Sequence, residues 1–172
     1  GKFTFIGKSS KKHEIEINDE EIPDLPALIM MCKDAKQGKG GDLFLYFDEE
    51  GNESDVKAYH VNEYIQEISG EKFTAKDFRT WGGTKIAAKT LCTFKKKDNK
   101  KDRKKNSTKM VKEVAGRLGN TPAVCRGSYI HPKFINDYLK GSFFRIWKET
   151  LGEDMYPLTK NESHVIRYLE NS

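Results

Sequence analysis

Signals that start and stop α-helices follow one another from residue 74 onward, and they constrain the fold more than any other feature of the sequence. Capping boxes, in which Thr is followed three residues later by an acidic residue, stand at residues 74–77 and 159–162. Thr121-Pro122 is typical of an N-cap followed by the first helical residue. Gly119 and Gly141 are typical helix ends. This half of the chain is therefore predicted to be a succession of helices.

Apolar residues at helical spacing fill the segments between these signals. The first predicted helix runs from Thr74 towards Phe94, with Gly82-Gly83 as a point of disturbance. A short helix opened by Thr121-Pro122 carries Tyr129, and Pro132 starts the next one. The apolar residues of the later helices are Val111, Val114, Ala115, Leu118, Phe134, Ile135, Tyr138, Leu139, Val165, Ile166 and Leu169.

The first seventy residues show shorter and more varied patterns. Residues 2–17 alternate between apolar and polar positions, which predicts two strands joined by a turn. A helix is predicted from Asp24 to just before the loop 38–41, a short strand over 42–47, and a helix over 61–68 that stops at Gly70. The predicted fold class is α+β, predominantly α-helical with a small N-terminal β-hairpin or sheet.

Composition and missing motifs exclude several classes of protein. Of the 172 residues, 36% are hydrophobic and 11% aromatic, enough for a packed core. No apolar run approaches the roughly 20 residues of a membrane-spanning helix, and no secretory signal pattern is present. Cys32, Cys92 and Cys125 lack paired spacing, so we predict reduced cysteines. The phosphate-loop, dinucleotide, zinc-protease and serine-hydrolase motifs are absent, so no cofactor is expected.

The positive charge is concentrated in one segment. The chain has a net charge of +5, and residues 95–105 hold eight basic and two acidic residues, so that the remainder sums to −1. We predict a basic loop over residues 95–106, which is either a solvated loop or a phosphate-binding arm. The predicted DNA-binding residues are Lys95, Lys96, Lys97, Lys100, Lys101, Arg103, Lys104 and Lys105.

Two cations share one face of the helix that begins after Thr74. Lys76 and Arg79 lie three residues apart, and at about 100° per residue both point outward near the helix N-terminus, a favourable place for an anion. Phe78 and Trp81 fall on the opposite side and are predicted to be buried. Arginine can bind two phosphate oxygens at once.

Three motifs occur in order along the chain: FIGKSSKKHEI, KDFRTWGGT and LGNTPAVCRGSYIHP. With these motifs the chain resembles the type IB DNA topoisomerases of the small bacterial and poxvirus kind, from about Phe3 to at least Tyr138. The resemblance implies the catalytic-domain fold that these enzymes share with tyrosine recombinases. It also implies metal-independent and ATP-independent nicking and religation of one strand of duplex DNA, which relaxes supercoils.

The same resemblance assigns roles to individual residues. Tyr129 matches the nucleophile that becomes linked to the 3′ phosphate, and Arg79 matches an arginine that neutralises the phosphate. Lys8 matches the hairpin lysine that acts as general acid, with Lys76 as its assistant. Asn120 stands where poxvirus members carry a histidine, and is expected to donate an uncharged hydrogen bond.

The chain also departs from the family pattern. The family's first catalytic arginine precedes the lysine hairpin and has no match here, and the N-terminal DNA-clamping domain is missing. We therefore interpret residues 1–172 as the C-terminal part of the catalytic domain. Two alternatives stay open: a non-catalytic DNA-binding fragment, and a tyrosine recombinase. The expected partner is supercoiled duplex DNA, and we expect a monomer without membrane attachment. The expected location is the cytoplasm with the nucleoid if the source is bacterial, and otherwise inside the cell with DNA.

Overall fold

The computed structural model describes residues 2–7, 10, 12–16, 24–35 and 43–171. The chain divides into two compact units, unit 1 over residues 1–72 and unit 2 over residues 73–172. The sequence analysis placed no boundary between them. The mostly helical α+β class is confirmed, with eight α-helices and two small sheets in the described part of the chain.

Unit 1 contains both sheets and two helices. Strands β1 (Lys2–Ile6) and β2 (Lys12–Glu16) pair antiparallel, as predicted, with Phe5 opposite His13 and their rings stacked at 5.2 Å. Helix α1 (Leu25–Ala35) follows. None of the described residues of this unit is buried, so the core of the protein lies elsewhere.

Unit 1 contains a second hairpin, of which only the first strand was predicted. Strand β3 (Leu45–Phe47) pairs with β4 (Glu53–Asp55), which is too short and too polar to be visible in the sequence. The turn between them is built on Asp48, whose carboxylate accepts from the backbone N–H of Asn52 at 2.7 Å. Helix α2 (Ala58–Ser69) begins three residues before the predicted position and ends at Gly70, whose φ of 68° is favourable for glycine.

Unit 2 is entirely helical in its regular structure. Its elements are α3 (Ala75–Cys92), α4 (Lys100–Leu118), α5 (Pro122–Val124), a π-helical turn (Cys125–Tyr129), α6 (Pro132–Lys140), α7 (Phe143–Glu149) and α8 (Lys160–Glu170). Most boundaries follow the predicted caps. Thr121 accepts from the backbone N–H of Val124, and Gly119 and Gly141 end their helices in the left-handed conformation.

The core of unit 2 joins all of its long helices. Ala87 and Leu91 of α3, Met110 and Val114 of α4, and Val165 of α8 are fully buried. An aromatic cluster continues this core: Phe134, Tyr138, Phe143, Phe144, Trp147 and Tyr168. The hydroxyl of Tyr168 donates to Asp137 at 2.9 Å, so its buried polar atom is satisfied.

The prediction of a basic loop over residues 95–106 is wrong from residue 100 onward, because those residues form the first turns of α4. Asn99 is the N-cap, and its side-chain oxygen accepts from the backbone N–H of Asp102 at 2.8 Å. Lysine and arginine are good helix formers, so a basic segment continues a helix once a cap starts it.

The predicted burial of Phe78 is also wrong, since 64% of its surface is exposed, whereas Trp81 is partly buried. Phe78 lies nine residues before Ala87, which turns it about 180° away from that buried residue. Helix α3 itself is continuous through Gly82 and Gly83, where a disturbance was expected.

Candidate active site

The first turn of α3 is fixed by the predicted capping box. The carboxylate of Asp77 accepts from both the hydroxyl and the backbone N–H of Thr74, at 2.8 and 2.9 Å. These hydrogen bonds, that of the hydroxyl first, lower the pKa of Asp77. Lys76 and Arg79 are both exposed on this end of the helix, as the spacing predicted.

Arg79 connects α3 to the end of α4 and to Tyr129. Its Nη2 donates to the carbonyl oxygen of Leu118 at 2.7 Å, across 39 residues of sequence. The negative end of the α4 dipole favours a cation at this position. The guanidinium carbon lies 5.3 Å from the centroid of the Tyr129 ring. Arg79 is thus held in place beside the predicted nucleophile.

Asn120 hydrogen-bonds to the same carbonyl. Its side-chain Nδ2 donates to the oxygen of Leu118 at 3.1 Å, and its backbone N–H donates to Ala115 at 3.0 Å. The helix end at Gly119 therefore directs Asn120 towards Arg79. The structure brings together three of the five predicted catalytic residues: Arg79, Asn120 and Tyr129.

Tyr129 is the last residue of the π-helical turn and is half-buried. Cys125 at the start of this turn is fully buried, and Ile130 directly after Tyr129 is 4% exposed. Burial raises the pKa of the Cys125 thiol, while the charge of Arg79 acts in the opposite direction. Both ends of the turn are therefore anchored in the core, and single π turns are frequent at functional sites.

One face of α3 holds the backbone around Tyr129. The hydroxyl of Thr80 donates to the carbonyl of Ser128 at 3.3 Å, and the hydroxyl of Thr84 accepts from the backbone N–H of His131 at 3.1 Å. Between them, Gly83 packs so closely that an added Cβ would lie 2.3 Å from the carbonyl oxygen of Tyr129.

These three α3 residues were not predicted as part of the site. The signal that points to them is the placement of small residues at position 80 and, about one helical turn later, at positions 83 and 84. Only the position of the π-helical turn shows what this small-residue face accommodates.

Of the remaining two predicted catalytic residues, the structure describes only Lys76. Lys76 is exposed one turn before Thr80, and its charge acts on the neighbouring carboxylate of Asp77. Lys8 lies outside the described residues. His131, two residues after Tyr129, is the N-cap of α6, and its side chain accepts from the backbone N–H of Lys133.

The structure separates one member from the predicted DNA-binding set. Arg103 directs its guanidinium into the protein, where it donates to the carbonyl oxygens of Leu139, Lys97 and Asp98 at 2.9, 3.0 and 2.7 Å. The seven lysines of the set are exposed. Arg103 therefore holds the segment before α4 against the end of α6.

The described ranges offer neither a metal-binding cluster nor a membrane-spanning helix. No cluster of three or more His, Cys, Asp or Glu residues there is placed to hold a metal ion. Across the same ranges, no helix combines the length and the apolar character needed to cross a bilayer.

Comparison with known proteins identifies the family of the chain. A family model described as the catalytic core of eukaryotic DNA topoisomerase I matches residues 1–143. The chain is also similar to the DNA topoisomerase 1B of Acanthamoeba polyphaga mimivirus, with 35% identity over 133 residues that cover 73% of this chain and 38% of the relative. The chain belongs to the type IB DNA topoisomerase family. It spans about two fifths of the length of the relative that it matches.

Proposed function

We propose that this chain carries the nucleophile and part of the phosphate-binding machinery of a type IB DNA topoisomerase, an enzyme that nicks and reseals one strand of duplex DNA. The observation that carries the proposal is the position of the Arg79 guanidinium, 5.3 Å from the ring of Tyr129 and fixed to the carbonyl of Leu118. Family membership supplies the reaction class.

The proposed cleavage step is a transesterification at phosphorus. The Tyr129 oxygen attacks the scissile phosphate, loses its proton and forms a bond to the 3′ phosphate. The bond to the 5′ oxygen breaks, and this oxygen leaves as a hydroxyl after it receives a proton. One phosphoester bond replaces another, so religation by the 5′ hydroxyl needs no ATP, and stored superhelical strain drives relaxation.

Arg79 and Asn120 are proposed to stabilise the negative charge that develops on the non-bridging oxygens. Arg79 uses one Nη2–H on the carbonyl of Leu118, and a guanidinium has five N–H donors in all. Its remaining donors support contact with phosphate, and preorganised donors of this kind lower the barrier without a metal ion. Asn120 supplies an uncharged donor from the same helix end.

Lys8 is proposed as the general acid that protonates the departing 5′ oxygen, with Lys76 assisting. A lysine performs this role when nearby cations lower its pKa towards neutrality. The exposed lysines at 95–97, 100, 101, 104 and 105 are proposed to contact the backbone of duplex DNA. We propose a monomer that acts with DNA inside the cell, in the nucleoid if the source is bacterial.

The family match bears differently on the two alternatives, a tyrosine recombinase and a non-catalytic DNA-binding fragment. The matched family is that of the topoisomerases, so the recombinase hypothesis is not favoured. The chain spans 38% of its relative, so a DNA-binding part without independent activity is the second candidate, and the test is designed to separate the two.

The test uses a nicked suicide duplex, incubated with the protein in EDTA and run on a denaturing gel. A covalent adduct that forms with the wild type and disappears in Tyr129→Phe supports the proposal. The same assay is run on the chain extended by its upstream coding sequence. An adduct that needs the extension identifies this chain as a catalytic part that requires the rest of the enzyme. No adduct from either protein contradicts the proposal and leaves a DNA-binding module.

A further inference from the structure

Four lysines form a straight row along the outer face of α4, which we call the α4 lysine row: Lys101, Lys105, Lys109 and Lys112. Successive members lie four, four and three residues apart, so they share one face and span about 16 Å at about 1.5 Å per residue. All four are exposed. Only Lys101 and Lys105 are among the DNA-binding residues predicted from the sequence.

The row faces away from the core. Lys101 and Lys105 each lie nine residues before a fully buried residue of α4, Met110 and Val114, which places them about 180° around the helix. Helix α3, with Arg79, packs on the buried side of α4. The row therefore points away from the side of α4 on which α3 packs.

The members of the α4 lysine row have no ion pair with any residue in the described ranges. Other cations of this unit do: Lys85 pairs with Glu162 at 2.6 Å, and Arg145 pairs with Glu149 at 2.9 Å. Among the helices of the described ranges, α4 is the one that carries four lysines without an ion pair on a single face.

This arrangement is unfavourable for the isolated helix. Like charges four residues apart repel each other, as Lys101 and Lys105 do, and so do Lys105 and Lys109. Lys101 also lies in the first turn, where the helix dipole disfavours cations and favours anions. A bound polyanion would relieve both effects.

The side chains of α4 favour a duplex backbone over single-stranded nucleic acid as the bound polyanion. Helix α4 contains no aromatic residue, so it offers no platform on which unpaired bases could stack. What it presents is a line of point charges about 6 Å apart, which suits a regular phosphate backbone. Arg103 additionally fixes the segment with Lys97 beside the start of the row.

We infer that the α4 lysine row is an accessory surface for the backbone of duplex DNA, separate from the site around Tyr129. This inference rests on the proposed function, which supplies duplex DNA as the partner. It adds Lys109 and Lys112 to the residues proposed to contact DNA, so that the proposed contact surface continues along α4 beyond residue 105.

The test compares the triple variant Lys105→Gln, Lys109→Gln, Lys112→Gln with the matched control Lys89→Gln, Lys148→Gln, Lys160→Gln. Both remove three exposed lysines from helices and change the net charge equally. Binding to a duplex is measured over a range of salt concentrations in the Tyr129→Phe background, so that covalent chemistry does not contribute. The slope of log K against log salt should fall by about 2.7 in the row variant, about 0.9 per lost phosphate contact, and by much less in the control.

Several outcomes would overturn the inference. Equal slopes for the row variant and the control would show a general charge effect only. An equal loss on single-stranded DNA would overturn the assignment to duplex. The Tm of the row variant should equal or exceed that of the wild type, because repulsion between the lysines is removed. A lower Tm would indicate misfolding, and the binding measurement is then repeated with the double variant Lys109→Gln, Lys112→Gln. The adduct assay on the wild type reports separately on the proposed function.

Discussion

The absence of a side chain at residue 83 allows the backbone of Tyr129 to lie directly against α3. Carbonyl and helix are in such close contact that a Cβ would approach the oxygen to 2.3 Å and the side chain of Leu118 to 3.2 Å. Neither neighbour is the free end of a flexible chain, since the first is backbone and the second packs against the core. We interpret Gly83 as a positioning residue for Tyr129, the proposed nucleophile.

Gly83→Ala should displace the π-helical turn and with it Tyr129. We expect the free energy of unfolding to fall by about 1–3 kcal/mol, as for overpacked sites. The rate of adduct formation should fall at least about tenfold, equivalent to about 1.4 kcal/mol in the barrier. Denaturant titration and the suicide-duplex assay measure the two effects.

Gly82→Ala is the matched control, because an added Cβ at that position meets nothing within 4 Å. It should keep wild-type adduct formation and gain up to about 1 kcal/mol of stability from the better helix propensity of alanine. If both variants behaved alike, the positioning role of Gly83 would be wrong.

Between elements, α8 is connected to α3 by a short ion pair. Lys85 lies one residue after Thr84, which binds the backbone next to Tyr129, and its ammonium contacts Glu162 at 2.6 Å. The hydrogen bond from Lys85, followed by those from Thr159, lowers the pKa of Glu162 to about 2. The folded-state pKa is thus below the ordinary value of 4.5.

Glu162→Gln should therefore lower stability in a pH-dependent way. A depressed carboxyl pKa contributes stability above about pH 4.5, and this contribution is lost as the pH falls towards 2. We expect a loss of about 1–2 kcal/mol at pH 7 that shrinks below pH 4.5. Unfolding curves at several pH values measure the difference between variant and wild type.

Glu149→Gln provides the comparison, since its pair with Arg145 is exposed on both sides. Exposed pairs contribute about 0–1 kcal/mol, so this variant should stay near the wild type at every pH. A pH-independent loss in Glu162→Gln would contradict the role given to its charge.

At the scale of the whole molecule, the family match and the fold end at different places. The family model matches residues 1–143, whereas the core of unit 2 continues into α7 and α8. Val165 and Tyr168 are fully buried, and the ring of Tyr168 stacks on that of Phe134 at 4.6 Å. Helices α7 and α8 therefore contribute to the same core as the helices around the site.

A chain that ends at residue 143 should therefore lose its cooperative unfolding transition. Removal of two fully buried side chains, each contributing about 2–3 kcal/mol, exceeds what a marginally stable domain tolerates. Near-UV circular dichroism and denaturant titration test this expectation. A chain that ends at Glu170 should unfold like the wild type, and a stable chain 1–143 would contradict the role of α7 and α8.

Local signals were enough to predict most elements of unit 2. The caps at Thr74, Thr121 and Thr159 and the stops at Gly119 and Gly141 act within four residues of sequence, so the sequence displays them directly. Two elements of unit 2 were not predicted, also for local reasons. Helix α7 shows neither a clear apolar period nor a clear cap, and the π-helical turn has no sequence signature of its own.

The sequence by itself determined where α3, α5, α6 and α8 begin and where α4 and α6 end, and its motifs pointed to Arg79, Asn120 and Tyr129. Only the tertiary structure decided that Arg79 and Asn120 share the carbonyl of Leu118, that Gly83 receives the carbonyl of Tyr129, and that Arg103 turns inward. The physical reason is distance along the chain. The contacts of Arg79, Gly83 and Arg103 join residues 36 to 46 positions apart, and they depend on how whole helices pack rather than on local backbone preference.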